Sequence, residues 1–151
     1  MRAMLTFTID PVTEADHLTR GVRNKILRIA MNKASAKVKA SVINLAPARL
    51  GYLKKSFRIK IKNYKSGNVW VAIIGPKSDY KPKKGKRKRG ETKGQPIIHQ
   101  PSRYAHLVEK GTRYAGARPY LLPALRATQS QYRQTLLTSV REQIAALLPK
   151  A

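Results

Sequence analysis

Apolar positions along the chain change their spacing several times, and each change marks an element. Met4 to Ile9 alternates apolar and polar residues through Leu5, Phe7 and Ile9, which predicts a short strand. Asp10-Pro11 breaks it, and Thr13 followed by Asp16 resembles a capping box. From there Leu18, Val22, Ile26, Leu27, Ala30, Ala34, Val38, Val42 and Leu45 recur at three- and four-residue intervals, the stripe of an amphipathic helix. Its other face carries Arg20, Arg23, Lys25, Arg28, Lys33, Lys37 and Lys39. At ~1.5 Å per residue this helix would run about 45–50 Å, with Gly21 or Asn32 as the places to break, and Pro47 ends it.

Gly51 marks a turn into a strand expected over Leu53–Asn63. There Phe57, Ile59 and Ile61 alternate with a basic comb of Arg58, Lys60 and Lys62. Asn63 to Asn68 has hairpin-turn composition, and Val69–Ile74 is apolar on both faces, as an inner strand should be. Lys77–Gln95 reads as a mobile arm inserted in the domain, because its central run has no apolar residue to offset the entropy of ordering it. Arg103–Lys110 predicts a short helix closed by Gly111 in the left-handed conformation, and Gly116 and Pro119 frame a turn. Leu122, Leu125, Tyr132, Leu136, Val140, Ile144 and Leu147 line one stripe of a last helix. The sum is one α+β domain over residues 1–151: a small antiparallel sheet packed by a long first helix and a C-terminal helix, with the arm at 77–95.

Charge alters this picture most. The chain has 151 residues, 32 Lys and Arg against 7 Asp and Glu, and a formal charge of +25. Residues 77–95 account for only +7, leaving +18 spread over the rest. Such a surface repels its own kind unless an anion is near, and each phosphate it neutralises would release a counterion. No cysteine is present, which excludes disulfides, thiolate metal sites and thiol nucleophiles. No apolar run approaches the ~20 residues that cross a bilayer, and no signal-peptide pattern opens the chain, so a soluble domain made inside the cell is expected.

Candidate chemistry is sparse. Asp79 with Glu91-Thr92-Lys93 mimics the Asp…Glu-x-Lys arrangement in which two carboxylates hold Mg²⁺ and a lysine assists the attacking water. These residues flank a Lys/Arg run with no strand pattern to fix their geometry, and a chance match is easy there. His106 and Glu109 share a helical face without a second ligand pair, and His17 and His99 stand alone. No nucleophile elbow, phosphate loop or dinucleotide fingerprint occurs, so no enzyme, cofactor or metal is expected. The arm residues Lys81, Lys83, Lys84, Lys86, Arg87, Lys88 and Arg89, with the comb Arg58, Lys60 and Lys62, are the candidates to face DNA or an acidic partner. No signature for reading base sequence appears.

One pair of motifs is more telling. Tyr104-Ala105-His106-Leu107-Val108-Glu109-Lys110-Gly111-Thr112, then Ala117-Arg118-Pro119-Tyr120-Leu121-Leu122-Pro123-Ala124-Leu125, resembles the signature of the tail-component family of tailed bacteriophages, the head–tail joining, neck or tail-completion proteins. Pro47, Gly51, Leu53 and Ser56 match an upstream element of that family; Leu50 and Tyr120 depart from its usual Thr and Phe, and the arm is more basic. The resemblance implies a structural virion protein at the head-proximal end of the tail. It also implies a ring of six or twelve copies through which DNA passes without sequence preference. Other neck and tail proteins would be its partners, no membrane would be involved, and assembly would take place in the host cytoplasm. Glu109 is expected to pair with an Arg or Lys, within or between subunits, with Arg103, Arg113 and Arg118 as candidate partners, and Tyr104, Glu109, Arg113, Arg118 and Tyr120 are candidates for the subunit interface. The competing readings are a sequence-independent nucleic-acid-binding protein and, behind it, a metal-dependent nuclease.

Overall fold

The structure, a computed structural model, describes residues 5–9, 19–64, 69–90 and 92–147. The Thr13–Asp16 capping box, Leu18 and the turn at 65–68 lie outside the described residues. Among the described residues nine elements follow in order: β1 (Leu5–Ile9), α1 (Arg20–Leu45), α2 (Tyr52–Ser56), β2 (Phe57–Tyr64), β3 (Val69–Pro76), β4 (Lys83–Lys86), β5 (Pro96–Ile98), α3 (Pro101–Lys110) and α4 (Leu121–Ala145). The α+β architecture expected from the sequence is the one observed.

Strand β3 lies between β1 and β2 in an antiparallel sheet, so both its edges are paired, and Trp70, Val71, Ala72 and Ile74 along it are buried. Its register with β2 sets Ile59 opposite Ile74 and Ile61 opposite Ala72, while Arg58, Lys60 and Lys62 oppose Gly75, Ile73 and Val71. Because side chains alternate along a strand, one face of the β2–β3 pair turns to the helices and the other carries the comb.

Helix α1 is unbroken from Arg20 to Leu45 and packs between α4 and the β2–β3 face, so it buries a stripe wider than a single interface needs: Ile26, Leu27, Ala30, Met31, Ala34, Ser35, Val38 and Val42. The alanines and Ser35 let α4 come close, and Lys33 is joined to Glu142 across the two helices at 2.8 Å. That pair is half exposed and contributes little. Helix α4 buries Leu121, Ala124, Thr128, Tyr132, Leu136, Ser139 and Val140. The stripe thus begins at Leu121; Leu122 and Leu147, expected on it, are about half exposed, as is Leu45 at the end of α1. One residue of phase turns a helix by about 100°, enough to carry Leu122 off the buried face.

Two local elements differ from the sequence reading. Residues 52–56, expected as the start of a strand, form a helical turn entered through Gly51 at φ 71°, and Ser56 Oγ donates to the Leu53 carbonyl at 2.7 Å. The basic run, in which no strand pattern is visible, carries β4, paired with β5. The partner strand Pro96–Ile98 lies just past the run, and Gly85, Gly90 and Gly94 supply positive φ angles for the turns between. Backbone hydrogen bonds from Arg87 N to Gln95 O and from His99 N to Pro82 O extend the pairing on both sides.

Candidate functional site

Two regions emerge, a motif that is locked and a basic track that is open. In the lock, α3 ends at Gly111 with φ 78° and ψ 178°. This is not the left-handed helical stop expected but a region open essentially to glycine alone. A Cβ there would also stand 2.7 Å from the Ala117 backbone nitrogen. The chain then folds tightly: Thr112 N donates to Ala115 O, the Thr112 hydroxyl accepts from the Tyr114 and Ala115 amides, and Arg118 N donates to Val108 O.

This return brings the start of α4 onto Glu109. Its carboxylate accepts the amides of Tyr120 at 2.9 Å, Leu121 at 3.1 Å and Leu122 at 3.4 Å. The amide of the N-cap residue Tyr120 and the first two amides of α4, which no residue of the helix itself can satisfy, thus meet a negative charge at the positive end of the helix dipole. Within the chain these amides, and not Arg103, Arg113 or Arg118, are the partners the Glu109 carboxylate meets. Tyr120, offered as an interface residue, is fully buried; its ring meets Phe57 edge-on at 5.8 Å and its hydroxyl reaches the Ala105 carbonyl at 3.4 Å. Burial, then the Glu109 charge and Tyr104, hold its phenol well above the usual range. Of the other interface candidates, Arg113 and Arg118 are exposed and Tyr104 is half-buried.

The basic track starts at the comb. Arg58, Lys60 and Lys62 line a pocket of about 150 Å³ together with Ser78 and Ser102, over a floor that includes Ile73 and Gly75. Beside it, Lys81, Arg87 and Arg103 line a wider cleft of about 440 Å³ with Tyr104, Gln100 and Ile98. The two meet at the start of α3: Gln100 Nε2 donates to the Ser78 carbonyl at 3.0 Å, and Ser102 and Arg103 are consecutive. The fold therefore brings the comb and the arm together around α3. Lys83, Lys84, Lys86, Lys88 and Arg89 are exposed on the hairpin beyond. Arg87 is oriented by its bond to Thr92 Oγ1 at 2.9 Å. Sequence reasoning missed Arg103, Ser78 and Ser102 as neighbours of the comb, since nothing in their spacing points across the sheet.

Among the described residues none of Arg58, Lys60, Lys62, Lys81, Arg87 and Arg103 is in an ion pair. Asp79 is close by, but its carboxylate is bound to Lys77 at 3.0 Å, and that hydrogen bond holds its pKa below the ordinary value, with Arg58 adding to the effect. Glu91 lies outside the described residues, and among those described no group of three potential ligands could hold a metal ion. Trp70 is buried in the core, while Tyr64 is exposed at the end of β2, with Lys62 Nζ 5.8 Å from its ring centre.

The chain matches over residues 13–111 the family described as "Bacteriophage HK97-gp10, putative tail-component". It belongs to this family and is a structural component of a phage tail, which places it in the virion and among other tail proteins. The matched span runs through the arm and stops at Gly111, so the second half of the motif, from Ala117 to Leu125, lies beyond it. No curated protein and no solved structure matches the chain. No helix among the described residues is long and apolar enough to cross a membrane.

Proposed function

We propose that this tail component joins head and tail, or completes the head-proximal end of the tail, as a subunit of a six- or twelve-fold ring whose basic track faces the DNA passing through. The observation that carries the reading is the track itself: six cations on two adjoining concavities, without an ion pair among the described residues to neutralise them. A surface of that kind suits a polyanion held by its phosphates and read without sequence preference. The ring rests on the family and on closed symmetry, since a head-to-tail interface closes when its rotation does.

Quantitative mass spectrometry of purified virions tests the placement by counting this chain against the portal protein. Six or twelve copies are expected; absence from the particle would contradict the proposal. A second reading assigns the arm to an acidic neighbouring neck protein, and the exposed lysines of β4 favour it. Deleting Lys81–Arg89 separates the two: lost partner binding with intact DNA affinity selects docking.

A further inference from the structure

Strand β2 is an outer strand of its sheet, and its far edge is open. Lys77 N donates to Ser56 O at 2.8 Å, and the register makes these residues direct opposites, one step before Phe57 and Pro76. Opposed pairs of an antiparallel ladder exchange hydrogen bonds at every second position. From Ser56 onward, Arg58, Lys60 and Lys62 therefore bond to β3, and the backbone groups of Ile59, Ile61 and Asn63 turn away from it. No hydrogen bond among the described residues meets these three on the outer side. Ile59 and Ile61 are half-buried against the core, and Asn63 is exposed. An edge of this kind is a template for a further strand.

Strand β1 forms the opposite edge of the same sheet. The same alternation across β3 bonds Leu5, Phe7 and Ile9 to it and leaves the backbone groups of Thr6 and Thr8 outward. We propose that β1 of one copy pairs along the open β2 edge of the next, so that the sheet runs on from subunit to subunit. This names the contact within the ring inferred above and rests on that reading.

Direction, register and charge select a second copy as the occupant. Both β1 and β2 are antiparallel to β3 and so run the same way. A copy turned about an axis near the strand direction thus offers its β1 parallel to β2, the head-to-tail relation that closes a ring. In that parallel ladder the outward Thr8 stands opposite Lys60 or Lys62. Within one copy Thr8 and Lys62 already share a row across Val71, so the combs of successive copies fall on one face of the sheet. Pairing β2 with β2 would instead set Arg58, Lys60 and Lys62 beside their own kind. Strand β1 is uncharged, and residues 1–18 hold three acids against one basic residue, a net of −2 beside +27 for the rest of the chain. A closed ring of such contacts leaves neither edge open to chance pairing.

Disulfide trapping tests it, since the chain has no cysteine of its own. Full chains carrying Thr8→Cys are mixed with chains carrying Lys60→Cys or Lys62→Cys, in about 1 M salt, which screens repulsion between chains beyond ~3 Å. One of the two mixtures is expected to give linked pairs that neither of its variants gives alone. Adding Ile61→Pro to the β2 partner removes the outward N–H that either register uses, at a place where an edge strand tolerates proline, and should abolish linking while circular dichroism shows the variant folded. No linking in either mixture overturns the edge contact, as does linking by Lys60→Cys or Lys62→Cys alone just as readily. Absent linking while virions hold six or twelve copies overturns the contact and leaves the ring standing on another surface. Linked pairs from a chain that is missing from virions support the contact and overturn its place in the tail.

Discussion

The lock and the track lie on either side of the same short helix, yet they treat charge in opposite ways. At the C-terminal end of α3, Glu109, one of only seven acids, is turned inward onto the amides that begin α4. At its N-terminal end, cations from β2, from the arm and from α3 itself gather without an ion pair among the described residues. Electrostatics in the first region is consumed by folding. In the second it is left available for a ligand. A motif rich in recognisable residues can therefore be architecture, while the open basic track carries little motif at all.

Variants that sharpen this contrast should change stability in the lock and affinity in the track. Gly111→Ala has the largest expected cost, about 3 kcal/mol or more, since forcing a side chain into this conformation costs ~1–3 kcal/mol before the contact with Ala117 is added. Urea denaturation measures it, and a cost under 1 kcal/mol would mean that the turn relaxes easily. Glu109→Ala should cost about 2–3 kcal/mol, because charge-assisted bonds to otherwise unmet helix amides are lost together, with Glu109→Gln intermediate. Were Glu109 instead an intersubunit ion-pair residue, the isolated chain would lose nothing.

Tyr120→Phe removes one long hydrogen bond and should cost under about 1 kcal/mol near neutrality. Its larger effect is on alkaline stability. The folded state keeps the Tyr120 proton above the ordinary value of 10.0, so its contribution is whole below pH 10 and is lost as pH rises beyond it. One such group lowers stability by up to ~1.4 kcal/mol per pH unit in that range. Tyr120→Phe should flatten the alkaline limb of a melting profile, and an unchanged limb would place the phenol in water. Smallest of all, Tyr114→Ala at the 90% exposed tip of the turn should move stability by no more than ~0.5 kcal/mol.

Much of the fold is legible in the chain because burial imposes periodicity. The stripes of α1 and α4, the alternation of β2 and the two-faced apolar run of β3 all follow from which sides are covered. The hairpin in the arm is not legible, because lysines and glycines are held there by backbone pairing to a strand outside the basic run, and pairing leaves no apolar pattern. The comb was visible as alternation. Its neighbourhood with Ser102 and Arg103 was not, since only the packing of α3 beside the sheet creates it. Glu109 is recognisable as special in so basic a chain, but its contacts within the chain are not. The preference for three amides arises from the return of the chain through Thr112–Ala115 and Arg118, which linear spacing does not disclose.

The central claim, that the track meets a phosphate backbone while the lock serves the fold, is tested most directly by the triple variant Arg58→Glu, Lys60→Glu, Lys62→Glu. Its affinity for a random-sequence duplex would be measured against wild type over a range of salt. The triple variant should keep its Tm, bind the duplex more weakly by roughly 10²–10³ near 0.1 M salt, and show a salt dependence shallower by about three phosphate contacts. Equal affinity and equal salt dependence in the two proteins would contradict it.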